Sequence, residues 1–174
     1  MNEAPDDIYL VMKIVMIMGI AGGCRREDLV KMTIGDIEDR GAVVVVNVLN
    51  TRKNGTRHFV ITDQSDRELE FLGIFRKYVG LRPKDSKCNR FFLGFRNGKC
   101  SNQPVGINSL GAVPWKIAKY LNLQDPASFT GHAFRRTSAI ISTDKSDIGL
   151  IMENSPHRRK LSKQTVNSYY YVYK

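Results

Sequence analysis

The run AVVVVNVLN at residues 42–50 is followed, after the six residues TRKNGT, by RHFVIT at 57–62. Two short segments rich in β-branched residues and this close together pair most directly with each other, as an antiparallel hairpin with one buried face. Asn54 and Gly55 both tolerate positive φ, so the spacing places a two-residue type I′ turn there. On either side of the hairpin the pattern is helical. Residues 8–20, IYLVMKIVMIMGI, are apolar apart from Lys13, too short to cross a bilayer, and carry no signal-peptide cleavage pattern. They predict a buried helix over 8–21, led in by the polar residues 2–7 with Pro5 and stopped by Gly22-Gly23.

Further along, residues 26–32 predict a short second helix and Gly35-Asp36 a turn. Ser65 and Glu68 form a capping box ahead of ELEFLGIFRKYV, a helix running to about Val79. FFLGF at 91–95 predicts a strand. Asn108 or Ser109 caps a helix through Trp115 to Leu121, weakened in its first turns by Gly111 and Pro114. Thr130 caps another, from Gly131 through HAFRRTSAII. Ser146 opens DIGLIMEN, and QTVNSYYYVY forms a last short helix or an extended tail. With 174 residues, 42% of them hydrophobic, and no internal repeat, the chain predicts one domain with a real core.

Charge and cysteines narrow the partners. Twenty-seven Lys and Arg against 17 Asp and Glu leave a net charge of +10, which favours a polyanion, nucleic acid before membrane. Cys24, Cys88 and Cys100 are an odd number at wide spacings with no Cys-x-x-Cys pair, so reduced thiols in a cytosol or nucleus fit best. No glycine-rich phosphate loop, paired carboxylates or metal-ligand cluster stands in the sequence, which argues against kinase-like, glycosidase-like and metal-dependent nuclease chemistry. The expected cofactor and metal complement is none.

What the sequence does offer is cations. Phosphoryl transfer without a metal needs guanidinium groups on the non-bridging oxygens, an in-line nucleophile, and an acid for the leaving oxygen. His132 and Arg135, in TGHAFRRTSA, stand at i and i+3 and share a helix face that can meet one phosphate, while Arg136 points elsewhere. Arg25, in GGCRREDLVKM, follows the glycine break at a loop or helix end facing a pocket, with Asp28 placed to orient it. Lys53 is lifted out on the hairpin tip. Each of these signals is common by chance when taken alone.

Their order is not. An arginine with a following acidic residue, a hairpin lysine, His-x-x-Arg, a later histidine and a C-terminal tyrosine together resemble the tyrosine recombinase family, from Arg25 to about Tyr171. Gly23-Cys24-Arg25-Arg26-Glu27-Asp28-Leu29 matches the family's Gly-x-Arg-x-x-Glu-Leu with Asp for Glu. The hairpin lysine corresponds to Lys53, or to Arg52 if one counts back from Arg57 instead of from the turn. His-x-x-Arg corresponds to His132 and Arg135. The later histidine corresponds to His157, preceded here by Pro156 where the family has Gly, and followed by a long basic segment, RRKLSK. The nucleophile lies in SYYYVY. An apolar anchor four residues earlier, Val166 after Thr165, selects Tyr170; a three-residue offset selects Tyr169, and Tyr171 stands next to them. The phrases EAPDDIYLVMKIVMIMGIAGGCRREDL and FTGHAFRRTSA resemble eukaryotic Crypton-type mobile-element recombinases.

The resemblance implies a mainly α fold with a small antiparallel β-sheet (α+β), clamped on one side of double-stranded DNA, self-associating there as a dimer or tetramer, in the nucleus. It implies that residues 1–174 are the catalytic domain of a longer protein with a helical DNA-binding domain before it. It also implies the chemistry: tyrosine attack on a DNA phosphate, a 3′-phosphotyrosyl link with a free 5′-hydroxyl, and religation, for site-specific recombination or integration. Arg25 and Arg135 would each contribute about 3 kcal/mol to the phosphorane-like transition state. Lys53 would protonate the leaving oxygen, His132 would assist proton transfer from the tyrosine, and His157 would bind a phosphate oxygen. A type IB topoisomerase and a domesticated, inactive DNA-binding module are the alternatives.

Overall fold

The computed structural model describes residues 1–50, 55–63 and 70–143. Its elements run α1 (Asp6–Ala21), α2 (Arg26–Lys31), β1 (Ile37–Asp39), β2 (Val44–Asn50), β3 (Gly55–Ile61), α3 (Phe71–Gly80), β4 (Leu93–Arg96), β5 (Lys99–Pro104), α4 (Ile107–Gly111), α5 (Val113–Tyr120) and α6 (Ala133–Thr143). Two antiparallel sheets, ordered β1-β2-β3 and β4-β5, sit among the helices. The expected mixed fold, helices with little sheet, is the observed one.

The apolar stretch that opens the chain becomes the central helix. α1 is apolar nearly all round, as a helix packed on every side must be, and it touches α2, α3, α5, α6, β3 and β4. Lys13, the one interruption, is buried, and its ammonium is satisfied by Asp6 Oδ1 at 2.7 Å and the Asn2 carbonyl at 3.1 Å. The polar residues at the start of the chain therefore neutralise the charge that the helix carries inward. Among the described residues no helix is long and apolar enough to cross a membrane.

The hairpin pairs in a different register from the one the Asn54-Gly55 turn requires. A two-residue turn there would put Lys53 opposite Thr56; instead Asn50 faces Gly55, and residues 51–54 make the connection. Burial explains the choice. The observed register sets Val46 opposite Phe59 and Val44 opposite Ile61, all four buried, whereas the turn-centred register would bring Asp63 against Val46 on the core face. β1, not foreseen from the sequence, pairs on the other side of β2.

A two-residue Asn-Gly turn does occur, at Asn97-Gly98, where φ is 51° and 73° and Arg96 faces Lys99. The strand expected at 91–95 begins at Leu93, and its partner β5, KCSNQP, is polar and lacks the β-branched residues that announce a strand. Tyr78 ties α3 to this hairpin: its hydroxyl donates to the Phe91 carbonyl at 3.0 Å and accepts the Leu93 N–H at 2.9 Å.

The helix expected to run to Leu121 is divided at Ala112 into α4 and α5, next to Gly111 and Pro114. The expected capping box at Ser65 and Glu68 lies outside the described residues; the Leu72 N–H in the first turn of α3 is taken by Asp63 Oδ1 at 2.9 Å. The segments DIGLIMEN and QTVNSYYYVY also lie outside them.

Candidate active site

Arg25 sits at the N-terminal boundary of α2 in an extended conformation, φ −84° and ψ 161°, and is half-buried. The glycine break makes this possible: Gly22 ends α1, and Gly23, at φ 52°, turns the chain through a region that L side chains avoid. Gly22 is also the floor of a tight contact, since a Cβ there would lie 2.4 Å from Cε1 of Phe59 on β3. Asp28 orients Arg25, but through the backbone, as its Oδ2 accepts the Arg25 N–H at 3.0 Å. The same oxygen accepts from Arg57 Nη2 at 3.0 Å.

A pocket opens beside α2. It is lined by Glu27, Asp28, Lys31, Met32, Asp36 and Asn47 with the end of β2, and Arg25 is not part of its wall.

α6 begins one residue after His132. The His132 carbonyl accepts the Arg136 N–H at 3.1 Å and the Thr130 carbonyl accepts the Ala133 N–H at 2.9 Å, so His132 takes the cap position and Arg135 stands in the first turn. His132 is exposed, Arg135 half-buried and Arg136 exposed. The buried face of α6, with Phe134, Thr137 and Ser138, packs on α1, which leaves the two ends of His-x-x-Arg off the core.

One approach brings these segments together. The Arg26 stem passes beside Gly111 and Gly131, 3.3 and 3.7 Å from where their Cβ atoms would be, so the residue after Arg25 lies against the residue before His132. Cys24, the residue before Arg25, is fully buried, with Arg57 Nη2 3.7 Å from its sulfur. Burial pushes its thiol up to about 12 despite the pull of Arg57 and Arg135, and Asp28 adds to the rise. Cys24 is therefore a neutral packing residue and no nucleophile. Arg25, His132 and Arg135 thus come from segments whose neighbouring residues approach one another.

Lys53, its competitor Arg52, His157, and the tyrosines Tyr169, Tyr170 and Tyr171 lie outside the described residues. Among the described residues no three His, Cys, Asp or Glu stand together as a metal site would need. Sequence reasoning overlooked Arg57, which it used only as a counting reference. The signal was the alternation in RHFVIT: Arg57 shares a face with Phe59 and Ile61, both buried.

No protein-family model and no curated protein matches the chain. Solved structures do. The XerH site-specific recombinase bound to difH substrate in a pre-cleavage complex superposes with a TM-score of 0.59, at 12% identity, over 83% of this chain and 38% of that one. XerH bound to palindromic difH substrate in a post-cleavage complex gives 0.61 at 14% identity, over 97% of this chain and 44% of that one. The chain spans less than half the length of these neighbours. The likeness shows the fold, which this chain shares with part of the XerH site-specific recombinase.

Proposed function

We propose that this chain cuts and rejoins double-stranded DNA through a 3′-phosphotyrosyl intermediate. The observation that carries this reading is the approach of the Arg26 stem, next to Arg25, to Gly131, next to His132, on a fold shared with site-specific recombinases. Two guanidinium groups from separate elements can each offer a fork to one phosphate, which suits an anion that gains charge as a fifth oxygen joins phosphorus.

In this mechanism the Tyr170 oxygen attacks phosphorus and the bond to the 5′-oxygen breaks. Lys53 gives that oxygen its proton, and His132 takes the proton of the tyrosine. His157 holds a non-bridging oxygen. The ester keeps the energy of the phosphodiester, so attack by another 5′-hydroxyl rejoins the strand without a nucleotide. The finer reading, integration of a Crypton-type mobile element in a nucleus by protomers assembled on DNA, rests on the phrases around Arg25 and His132 and on the net charge of +10.

Incubation with nicked duplexes of randomised sequence, followed by peptide mapping of the covalent adduct, tests the proposal. An adduct on Tyr170 supports it. An adduct on Tyr169 or Tyr171 keeps the reaction and moves the nucleophile; salt-dependent DNA binding with no adduct leaves an inactive DNA-binding module. Relaxation of supercoiled DNA without strand exchange identifies the topoisomerase alternative.

A further inference from the structure

We infer that Arg57 is a positioning residue for Arg25, clamping the two ends of the loop that presents it. The inference rests on the reading of Arg25 as a phosphate ligand. Arg57 Nη1 donates to the Gly22 carbonyl, and Nη2 donates to Asp28 Oδ2 at 3.0 Å and lies 3.7 Å from Cys24 Sγ. Gly22 and Asp28 stand three residues before and three after Arg25. One guanidinium thus ties the exit of α1 to the first turn of α2, and the oxygen it grips is the one that holds the Arg25 N–H at 3.0 Å.

Two features make this more than a surface ion pair. The Arg57 and Asp28 side chains are only 24% and 20% exposed, so the pair is partly shielded from water. Arg57 also lies on the core face of β3, opposite Val48 and two residues from Phe59, whose ring fills the space a Gly22 side chain would need. The strand therefore holds the loop by a ring beneath and a fork beside it. A lysine, a single point charge, cannot serve the carbonyl and the carboxylate in two fixed directions.

The experiment uses the 174-residue chain and nicked duplexes of randomised sequence, under single turnover with saturating DNA. At a temperature where circular dichroism shows the variants folded, Arg57→Met is expected to slow adduct formation at saturating DNA at least tenfold. Asp28→Asn should slow it comparably, and the double variant should be no slower than either alone. Arg57→Lys, which keeps the stem and charge should Arg57→Met fail to fold, is expected to stay at least threefold slow. Arg40→Ala, at an exposed pair with Glu38, is the control at wild-type rate. Wild-type rates in folded Arg57→Met or Arg57→Lys, or additive losses in the double variant, would overturn the inference.

A binding arm separates this failure from failure of the recombinase reading. Arg25→Ala should reduce the salt dependence of duplex binding by about one phosphate contact. Arg57→Met should do the same, and the two together no more. If wild type forms no adduct, the recombinase reading falls alone and the slopes decide on Arg57; an unchanged slope in Arg57→Met then overturns the clamp, and absence of DNA binding overturns both.

Discussion

A Cβ on Gly19 would stand 2.7 Å from Cδ2 of Phe134, so α1 and α6 touch only because residue 19 has no side chain. That contact seats the helix carrying Arg135 against the helix whose end leads into Arg25. Gly19→Ala should therefore destabilise the fold, by about 1–3 kcal/mol as for other overpacked cores, although alanine is the better helix former. Chemical denaturation measures the loss. A stabilised Gly19→Ala variant would show that Phe134 can yield.

Arg25→Ala and Arg135→Ala are expected to leave the denaturation midpoint nearly unchanged and to abolish adduct formation, a loss of 100-fold or more for a donor to a developing charge. Arg25→Lys and Arg135→Lys should recover little, because a lysine offers no bidentate fork. Near-wild-type cleavage by either alanine variant would remove that residue from the site.

Cys24 should resist alkylation in the folded protein. Its thiol is fully buried and held near 12, whereas Cys88 and Cys100 are half-buried, the latter with a thiol raised mainly by burial. At pH 8, mass spectrometry of peptides after a short iodoacetamide pulse is expected to show label at Cys88 first and at Cys24 only after unfolding. Early label at Cys24 would mean that the Arg25 loop opens readily.

Asp6→Asn removes the carboxylate from buried Lys13 and from Lys77, and should cost about 2 kcal/mol at neutral pH, less than a fully stranded charge because the Asn2 carbonyl remains. Burial alone raises the Asp6 pKa, but the bonds from Lys13 and Lys77 bring it below its ordinary 3.8. A lowered carboxylate pKa stabilises the fold fully above the unfolded value and loses that contribution as pH falls through the folded one. The gap between wild type and Asp6→Asn should therefore narrow below about pH 4, measured by urea unfolding across pH.

Local physics made much of this protein legible from its residues. The central helix, the valine-rich hairpin, the break at Gly22-Gly23 and the helix opening near His132 follow from periodicity and from glycine conformations, which act over a few residues. The order of Arg25, His132 and Arg135 along the chain marked them as candidates for phosphate. Tertiary structure decided the rest, because it depends on pairs far apart in the chain. Asn54-Gly55 and Asn97-Gly98 look alike as turn signals, yet only the second makes the two-residue turn, since opposing Val46 to Phe59 outweighs the turn preference of the first. Arg57 reads as one charge on a strand until folding carries it 35 residues back to the Gly22 carbonyl and 29 to Asp28. Sequence supplies which groups can bind a phosphate; burial of distant apolar pairs determines which of them meet.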